Sequence, residues 1–360
     1  MKFKTKFNGV KNKTKLSLNL PFIMSPLNAN ASASTSYFPP GSLEILTLVD
    51  FVVIYTIISV LGIIANFINI VVFVKMGPQD SVNISLLGLS ISDFCFLLLT
   101  LFLSICYYPF WEDVDLNFNI LDLKMLTVAW PQFYFRRVSN WITAFIMLDK
   151  CICISLPLKV KDIITPKRTI FIVLFIYFIM ALTVSPPYFS ASYVSRWDDK
   201  KNRTKVVLVF HENSAEIDSI SSAISFVFTI VTFVWATVCS LILVISLQTR
   251  GKKLKEMAGY NQLDHVSIRD KKIIKMVTLM SILFIVSFTP DVIALLFMTF
   301  DYRVSFYGQY KDLFFVLHGV SEPLIALTAS VNIFVYYTMS SKYREVYSRY
   351  FLRPKLSRKK

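Results

Sequence analysis

The sequence predicts an all-α membrane protein: a bundle of seven transmembrane helices followed by a short amphipathic helix. Three observations carry that reading. The 360 residues are 55% hydrophobic and only 17% charged, whereas a soluble domain carries about a quarter charged residues. Nearly uncharged runs of about 20 residues or more recur along the chain, each long enough to cross a bilayer as a helix. Lysine and arginine are also spread unequally over the segments between those runs. Inside hydrocarbon every backbone N–H and C=O must be paired within the segment, so such runs become helices.

Residues 1–44 form a polar tail rich in Lys, Asn and Ser, expected to be disordered and extracellular. Asn12 and Asn30 head glycosylation triplets there, and Asn202 heads a third in a later loop. The membrane-embedded body is expected to cover 45–340. Its first span, 48–74, carries Asn66, and the tight link Lys75-Met-Gly-Pro leads to the second, 84–108, which carries Asp93. An acidic loop precedes the third stretch, 130–158. Here Arg136 and Arg137 interrupt an apolar and aromatic run, and Asp149-Lys150 follows near its end. Hydropathy alone does not settle this stretch, because the uncharged pieces flanking the arginines are each about half of the ~20 residues a crossing needs. The fourth span, 169–185, stops at Pro186-Pro187, and a long charged loop leads to the fifth, 219–247. A basic loop precedes the sixth, 276–300, with Pro290-Asp291. The seventh, 313–339, holds Glu322-Pro323 and Asn332. Residues 341–360 alternate aromatic and basic side chains, as an amphipathic cytoplasmic helix on membrane lipids does.

Orientation follows from the basic residues. With seven spans and the N-terminus outside, the inner segments hold 22 Lys and Arg against 14 outside, six of those far from any span in the tail. That is the positive-inside bias, and it sets the C-terminus in the cytoplasm. Net charge is +15, but its clustering in short loops points to lipid headgroups and not to nucleic acid. The five cysteines lie in or beside apolar runs, so no disulfide framework is implied. No zinc-helix, paired C-x-x-C or P-loop spacing occurs. With three histidines in the chain, neither an enzyme nor a protein-bound metal is expected. A small transporter or channel would also explain buried charges. The lack of an internal repeat and the mere nine glycines count against it.

Six motifs, in order and one per expected place, resemble the rhodopsin-like, class A, G-protein-coupled receptors. They are Gly62-Ile-Ile-Ala-Asn66; Leu86-Leu-Gly-Leu-Ser-Ile-Ser-Asp93; Asp149-Lys150-Cys151 followed by Pro157-Leu158; Phe284-Ile-Val-Ser-Phe288-Thr-Pro290; Asn332-Ile-Phe-Val-Tyr336; and the Lys342-Tyr-Arg helix start. The phrases Ser139-Asn-Trp-Ile-Thr-Ala-Phe145 and Pro157-Leu-Lys-Val160 are similar to invertebrate orphan receptors of chemosensory-like or neuropeptide-like type. The resemblance implies a receptor that binds an extracellular peptide or small polar molecule within the bundle and activates a heterotrimeric G protein. It implies an activation switch and G-protein contact at Asp149, Lys150, Leu158 and Tyr336. It further implies a sodium and water network at Asn66, Asp93, Ser139 and Asn332. Departures are Lys150 for the family's Arg, Phe288 for its Trp and Ile333 for its Pro. The family's bridge from the third span to the next outer loop is missing too, so that loop is expected to be more mobile than usual. Lys for Arg exchanges a planar five-donor fork for a point charge, so altered coupling is expected.

Charges at membrane depth face the bundle interior and find partners. At about 100° per residue, Gln132, Arg136, Ser139, Thr143 and Lys150 share one face of the third span, and Arg137 is turned toward a neighbour. Arg136, Arg137, Asp291 and Glu322 are expected to form an internally neutral cluster. Together with Gln132 and Phe288 they make the expected ligand-binding set. A structural staple and a ligand pocket both fit such a cluster.

Overall fold

The computed structural model describes residues 45, 48–108, 110–114, 116–118, 120–155, 160–198, 202–257, 264–300 and 310–352. The tail with Asn12 and Asn30, and Leu158, lie outside the described residues. Seven long helices form the bundle: α1 (Tyr55–Met76), α2 (Ser81–Cys106), α3 (Trp130–Ser155), α4 (Pro166–Val184), α5 (Ser214–Met257), α6 (Asp264–Phe300) and α7 (Lys311–Met339). A π-helical turn, Leu48–Ile54, leads into α1, and α8 (Ser341–Tyr347) follows α7.

Among the described residues, six of these helices are long and apolar enough to cross a membrane. The seventh crossing is α3, whose 26 residues include two arginines, an aspartate and a lysine. Its position explains how such a helix is accommodated. Val138, Ile142, Ala144, Ile146 and Met147 are at most 3% exposed, and α3 packs against α2, α4, α5 and α6. A central helix meets protein on most sides, so its polar residues never face lipid tails. Lipid-facing side chains lie on the outer helices instead: Phe171, Leu174, Phe178 and Phe334 are all more than half exposed, as expected for a surface solvated by hydrocarbon.

The local signals that end and start the helices are legible. Gly77 adopts φ 80° and returns its N–H to Phe73 and Val74, closing α1 as only glycine does readily. Asp80 caps α2 by accepting from Val82 N at 3.1 Å. Thr165, with Pro166 at the first helical position, starts α4. Both α5 and α6 extend beyond the apolar runs 219–247 and 276–300. Hydropathy marks membrane thickness, whereas the flanking Lys, Glu and Leu are good helix formers that carry the helix further.

The loop after α4 departs from expectation. It folds into an antiparallel hairpin, β1 (Ala191–Asp198) with β2 (Arg203–Phe210), turning at exposed Asn202 with φ 48°. All five cysteines are free, so no disulfide anchors it. Hydrogen bonds to the segment preceding α3 do so instead. Val206 N donates to Asn117 O at 2.8 Å, Arg203 to Leu116 O at 2.9 Å, and the Tyr193 hydroxyl to Leu123 O at 2.9 Å. Each contributes about 1 kcal/mol, so a few together match the roughly 2–4 kcal/mol a bridge would add.

Beneath the hairpin, Lys124 is 8% exposed and sets its ammonium 3.4 Å from the centre of the Tyr107 ring. Burial pushes that ammonium down to about 8 from its ordinary 10.5. The folded chain therefore binds fewer protons than the unfolded chain between those values, and stability rises with pH across that window. Thermal unfolding from pH 7 to 10.5 is expected to show this rise in the wild type, flattened in Lys124→Met. Equal slopes would mean the ammonium is solvated.

Candidate functional site

The polar face of α3 runs from the hairpin end of the bundle to the α8 end. Arg136 lies in its first third. Its guanidinium donates to the Glu322 carboxylate of α7 in a short charge-assisted hydrogen bond and faces Asp291 of α6 at 3.7 Å. His318, one turn before Glu322 on α7, places Nδ1 4.0 Å from the same carboxylate. The Arg136 guanidinium also lies 5.0 Å from the Phe133 ring. The charged side chains are 9–14% exposed. Desolvation makes each unpaired charge expensive and their mutual attraction strong.

Of the six residues expected in the ligand set, Arg136, Asp291 and Glu322 come together. Arg137 does not join them. It donates to the Ser225 hydroxyl of α5 and reaches the Thr183 hydroxyl of α4 at 3.4 Å. The expected four-member neutral cluster is thus a three-member one, because adjacent helical residues point about 100° apart. Gln132 is 5% exposed and donates to Thr100 of α2 at 2.9 Å, away from the cluster. Phe288 stacks on Phe284 with centroids 4.6 Å apart. His318 escaped sequence reading, although its i,i+4 spacing from Glu322 was a usable signal.

Beside Phe288 lies a cavity of about 40 Å³ whose walls include Asp93, Arg136, Asn140, Phe288, Thr328 and Asn332. A water molecule needs roughly 10–15 Å³ measured this way and several polar partners, so the cavity has the room and polarity to hold water. Asp93 is 2% exposed and accepts from Asn332 Nδ2 at 2.9 Å. Ser139 donates to Ser92 at 2.8 Å. Asn66 stands apart from this group. Its Nδ2 donates to Gly62 O at 3.0 Å and Ala329 O at 2.9 Å, tying α1 to α7.

At the α8 end, Lys150 donates to its own neighbour Asp149 at 2.8 Å, and both are at most 7% exposed. Tyr336, 1% exposed, packs its ring against Phe73 and Tyr343. Tyr343 is fully buried and donates to Asn69 Oδ1 at 2.6 Å. Amphipathic α8 is therefore pinned to α1 by this residue, while Tyr350 sits under Lys75 at 5.4 Å. Tyr343 was read only as an aromatic of the amphipathic helix and Asn69 was not singled out; a lone polar residue three positions after Asn66 was the available hint.

A seven-helix bundle whose central helix carries one polar face from a charged cluster to a buried acid–base pair is consistent with a rhodopsin-like G-protein-coupled receptor, and the comparisons show that class. The particular family follows from comparison with known proteins. The model of the serpentine type 7TM GPCR chemoreceptor Srw family matches residues 53–354, and the chain belongs to that family. It is similar to the platelet-activating factor receptor of Mus musculus, 25% identical over 320 residues, covering 86% of this chain and 87% of that protein. It also resembles the cysteinyl leukotriene receptor 1 of Sus scrofa, 24% identical over 243 residues, 66% of this chain and 65% of that one. A shorter match links it to the galanin-like G-protein coupled receptor npr-9 of Caenorhabditis elegans, 26% identical over 135 residues, 37% of this chain and 30% of that one. The chain is a multi-pass membrane receptor that responds to an extracellular ligand and couples to a G protein. It is not an enzyme.

Proposed function

We propose that the ligand, a peptide or small polar chemosensory molecule, enters from the hairpin end, which faces outside the cell, and competes for the Arg136–Glu322–Asp291 cluster. The single observation behind this reading is that Arg136 ties α3 to α7 with one charge-assisted hydrogen bond and faces α6 across 3.7 Å. A polar group on the ligand that takes either side of the pair releases α7 from α3. A ligand shifts a two-state bundle only by its differential affinity for the two forms, and a ligand that breaks this contact would favour the form without it. With that end outside, the N-terminal tail is extracellular, its triplets at Asn12 and Asn30 are exposed to glycosylation, and Asn202 on the hairpin turn shares their side.

The opposite end, with Asp149, Lys150, Tyr336 and Leu158, is the proposed G-protein face in the cytoplasm. Lys150 held by Asp149 is closed toward the transducer, and activation frees it. A screen of neuropeptides and small polar odorants in cells carrying several G-protein reporters tests the scheme. An agonist so found should lose at least tenfold potency in Glu322→Gln at unchanged surface level. Equal potency in that variant removes the cluster from the ligand site.

A sodium ion is the cofactor the family likeness implies. Asp93 supplies a carboxylate, Ser139 and Asn332 line the same cavity, and its about 40 Å³ has room for a partly hydrated monovalent cation, so these residues fit the ion. Bound there, the ion would supply the positive charge that a buried carboxylate otherwise lacks. Saturating sodium is expected to stabilise the receptor by about 1–3 kcal/mol over choline at equal ionic strength. A thermal-shift series with Asp93→Asn checks this, since the difference should vanish in the variant.

A further inference from the structure

We propose that Asp291, His318 and Glu322 form a binding site for a divalent transition-metal ion of the zinc class, occupied in competition with the Arg136 guanidinium. His318 and Glu322 lie at i and i+4 on α7, so both project from one face of the helix. Asp291 meets them from α6, just after Pro290. One donor atom from each residue lies within 4.8 Å of the others, and His318 Nδ1 is 4.0 Å from the Glu322 carboxylate. Zinc–ligand bonds of about 2.0–2.2 Å in a tetrahedron hold donor atoms about 3.4 Å apart. Side-chain rotations that move each atom by about an ångström bring the three onto one ion with the helices in place.

The donor chemistry selects the ion. One imidazole and two carboxylates make three protein ligands and leave a fourth position for water, the pattern of open zinc sites. Calcium and magnesium favour all-oxygen shells with more ligands, and imidazole tilts the set toward first-row transition metals. Burial supports occupancy. Asp291 is 7% exposed, yet among the described residues it engages only Arg136 as an ion pair at 3.7 Å, longer than a hydrogen bond. A buried carboxylate with unfilled acceptor capacity thus faces the point where the other two donors converge. The His318 side chain, 21% exposed, is the most open of the three and stands on the path by which an ion would enter.

Arg136 and the ion cannot both hold Glu322. The displaced guanidinium keeps polar surroundings, because Arg136 lines a cavity whose walls include Ser139, Asn140 and Asn332. Metal binding therefore moves the tie on α7 from α3 to α6. This stands on the donor geometry alone and does not depend on where an agonist binds.

The test uses the purified full-length receptor in lipid nanodiscs and Zn²⁺ alone, with competition against a fluorescent chelator and thermal unfolding as readouts. Wild type is expected to bind zinc with an accompanying rise in Tm that millimolar Mg²⁺ does not reproduce. His318→Ala should weaken the affinity at least tenfold. Arg136→Gln, which removes the competitor, should tighten it at least tenfold. Wild-type affinity in His318→Ala would overturn the site, since the ion would then sit elsewhere, for example on the free cysteines. Unchanged or weaker binding in Arg136→Gln would overturn the competition. Should that variant fail to fold, Asp291→Asn replaces it, and loss of zinc affinity there supports the site while wild-type affinity rejects it.

Discussion

Arg136→Ala is expected to destabilise the receptor by about 3–5 kcal/mol, as removal of one partner from a buried ion pair does. Two carboxylates would remain at membrane depth, Asp291 at 7% exposure and Glu322 with its side chain at 12%, with their cation gone. Glu322→Gln should cost less, because its amide oxygen still accepts from Arg136. Replacing Arg136, Asp291 and Glu322 together by leucine or methionine should recover most of the loss, since the penalty comes from unpaired charge and not from lost packing. Thermal unfolding of the purified receptor and the fraction reaching the cell surface measure the series. A cost below about 1 kcal/mol for Arg136→Ala would mean that water already solvates the cluster.

Gly62→Val should prevent normal assembly of α1, α2 and α7. A Cβ at this position would lie 2.1 Å from Ser330 Oγ and 2.6 Å from Leu97 Cδ1, so a side chain demands that helices separate. Ser330 has little room to yield, because its hydroxyl donates to Ala326 O at 2.8 Å and sits 3.3 Å from Ile58 O. Separation would also stretch the Asn66 bond to Ala329 O. Overpacking of a tight core costs about 1–3 kcal/mol or more, and valine should reach the upper end. Gly88→Ala makes a useful contrast. Its Cβ would meet a methyl of Val173 at 2.8 Å, the end of a side chain and not a hydrogen-bonded group. Surface expression should fall steeply in the first variant and mildly in the second. Similar expression of both would show that the α1–α7 contact opens without cost.

The charged residues illustrate how far a one-dimensional reading reaches. That Arg136 and Arg137 diverge follows from helical pitch, and that Asp291 and Glu322 lie at comparable depth follows from counting along each span. Which acid meets which arginine depends on the rotation of α6 and α7 about their axes, and hydropathy says little about rotation when a helix is apolar nearly all round. The partner of Gln132 was hidden for the same reason. Gln132 lies on the predicted face of α3, but one turn nearer the hairpin end, where Thr100 of α2 is the neighbour. Asn66 shares its helix position with the family pattern, yet its amide caps backbone carbonyls instead of joining Asp93.

The hairpin was partly visible. Residues 206–210 read Val-Val-Leu-Val-Phe, a β-branched and aromatic run that is a strand signal overshadowed by the surrounding charges. Its anchoring to residues 116–123 was not visible, since backbone hydrogen bonds between distant loops leave no mark on side-chain pattern.

The sequence by itself determined the number of crossings, the identity of the central polar helix and the receptor class. The apolar spans depend on desolvation, which is summed locally over about 20 residues and is therefore written in composition; the polar third crossing followed from the span count and the basic inner segments, and the class from six motifs in order. The three-residue cluster, the cavity beside Asp93, the burial of Tyr343 under α1 and the convergence of His318 with two carboxylates were decided by the tertiary structure alone. They depend on distances of a few ångströms between helices far apart in the chain, and such distances are set by how small residues such as Gly62 let the helices approach. Arg136 belongs to both accounts: its cost in hydrocarbon marks the helix, and its partners define the site.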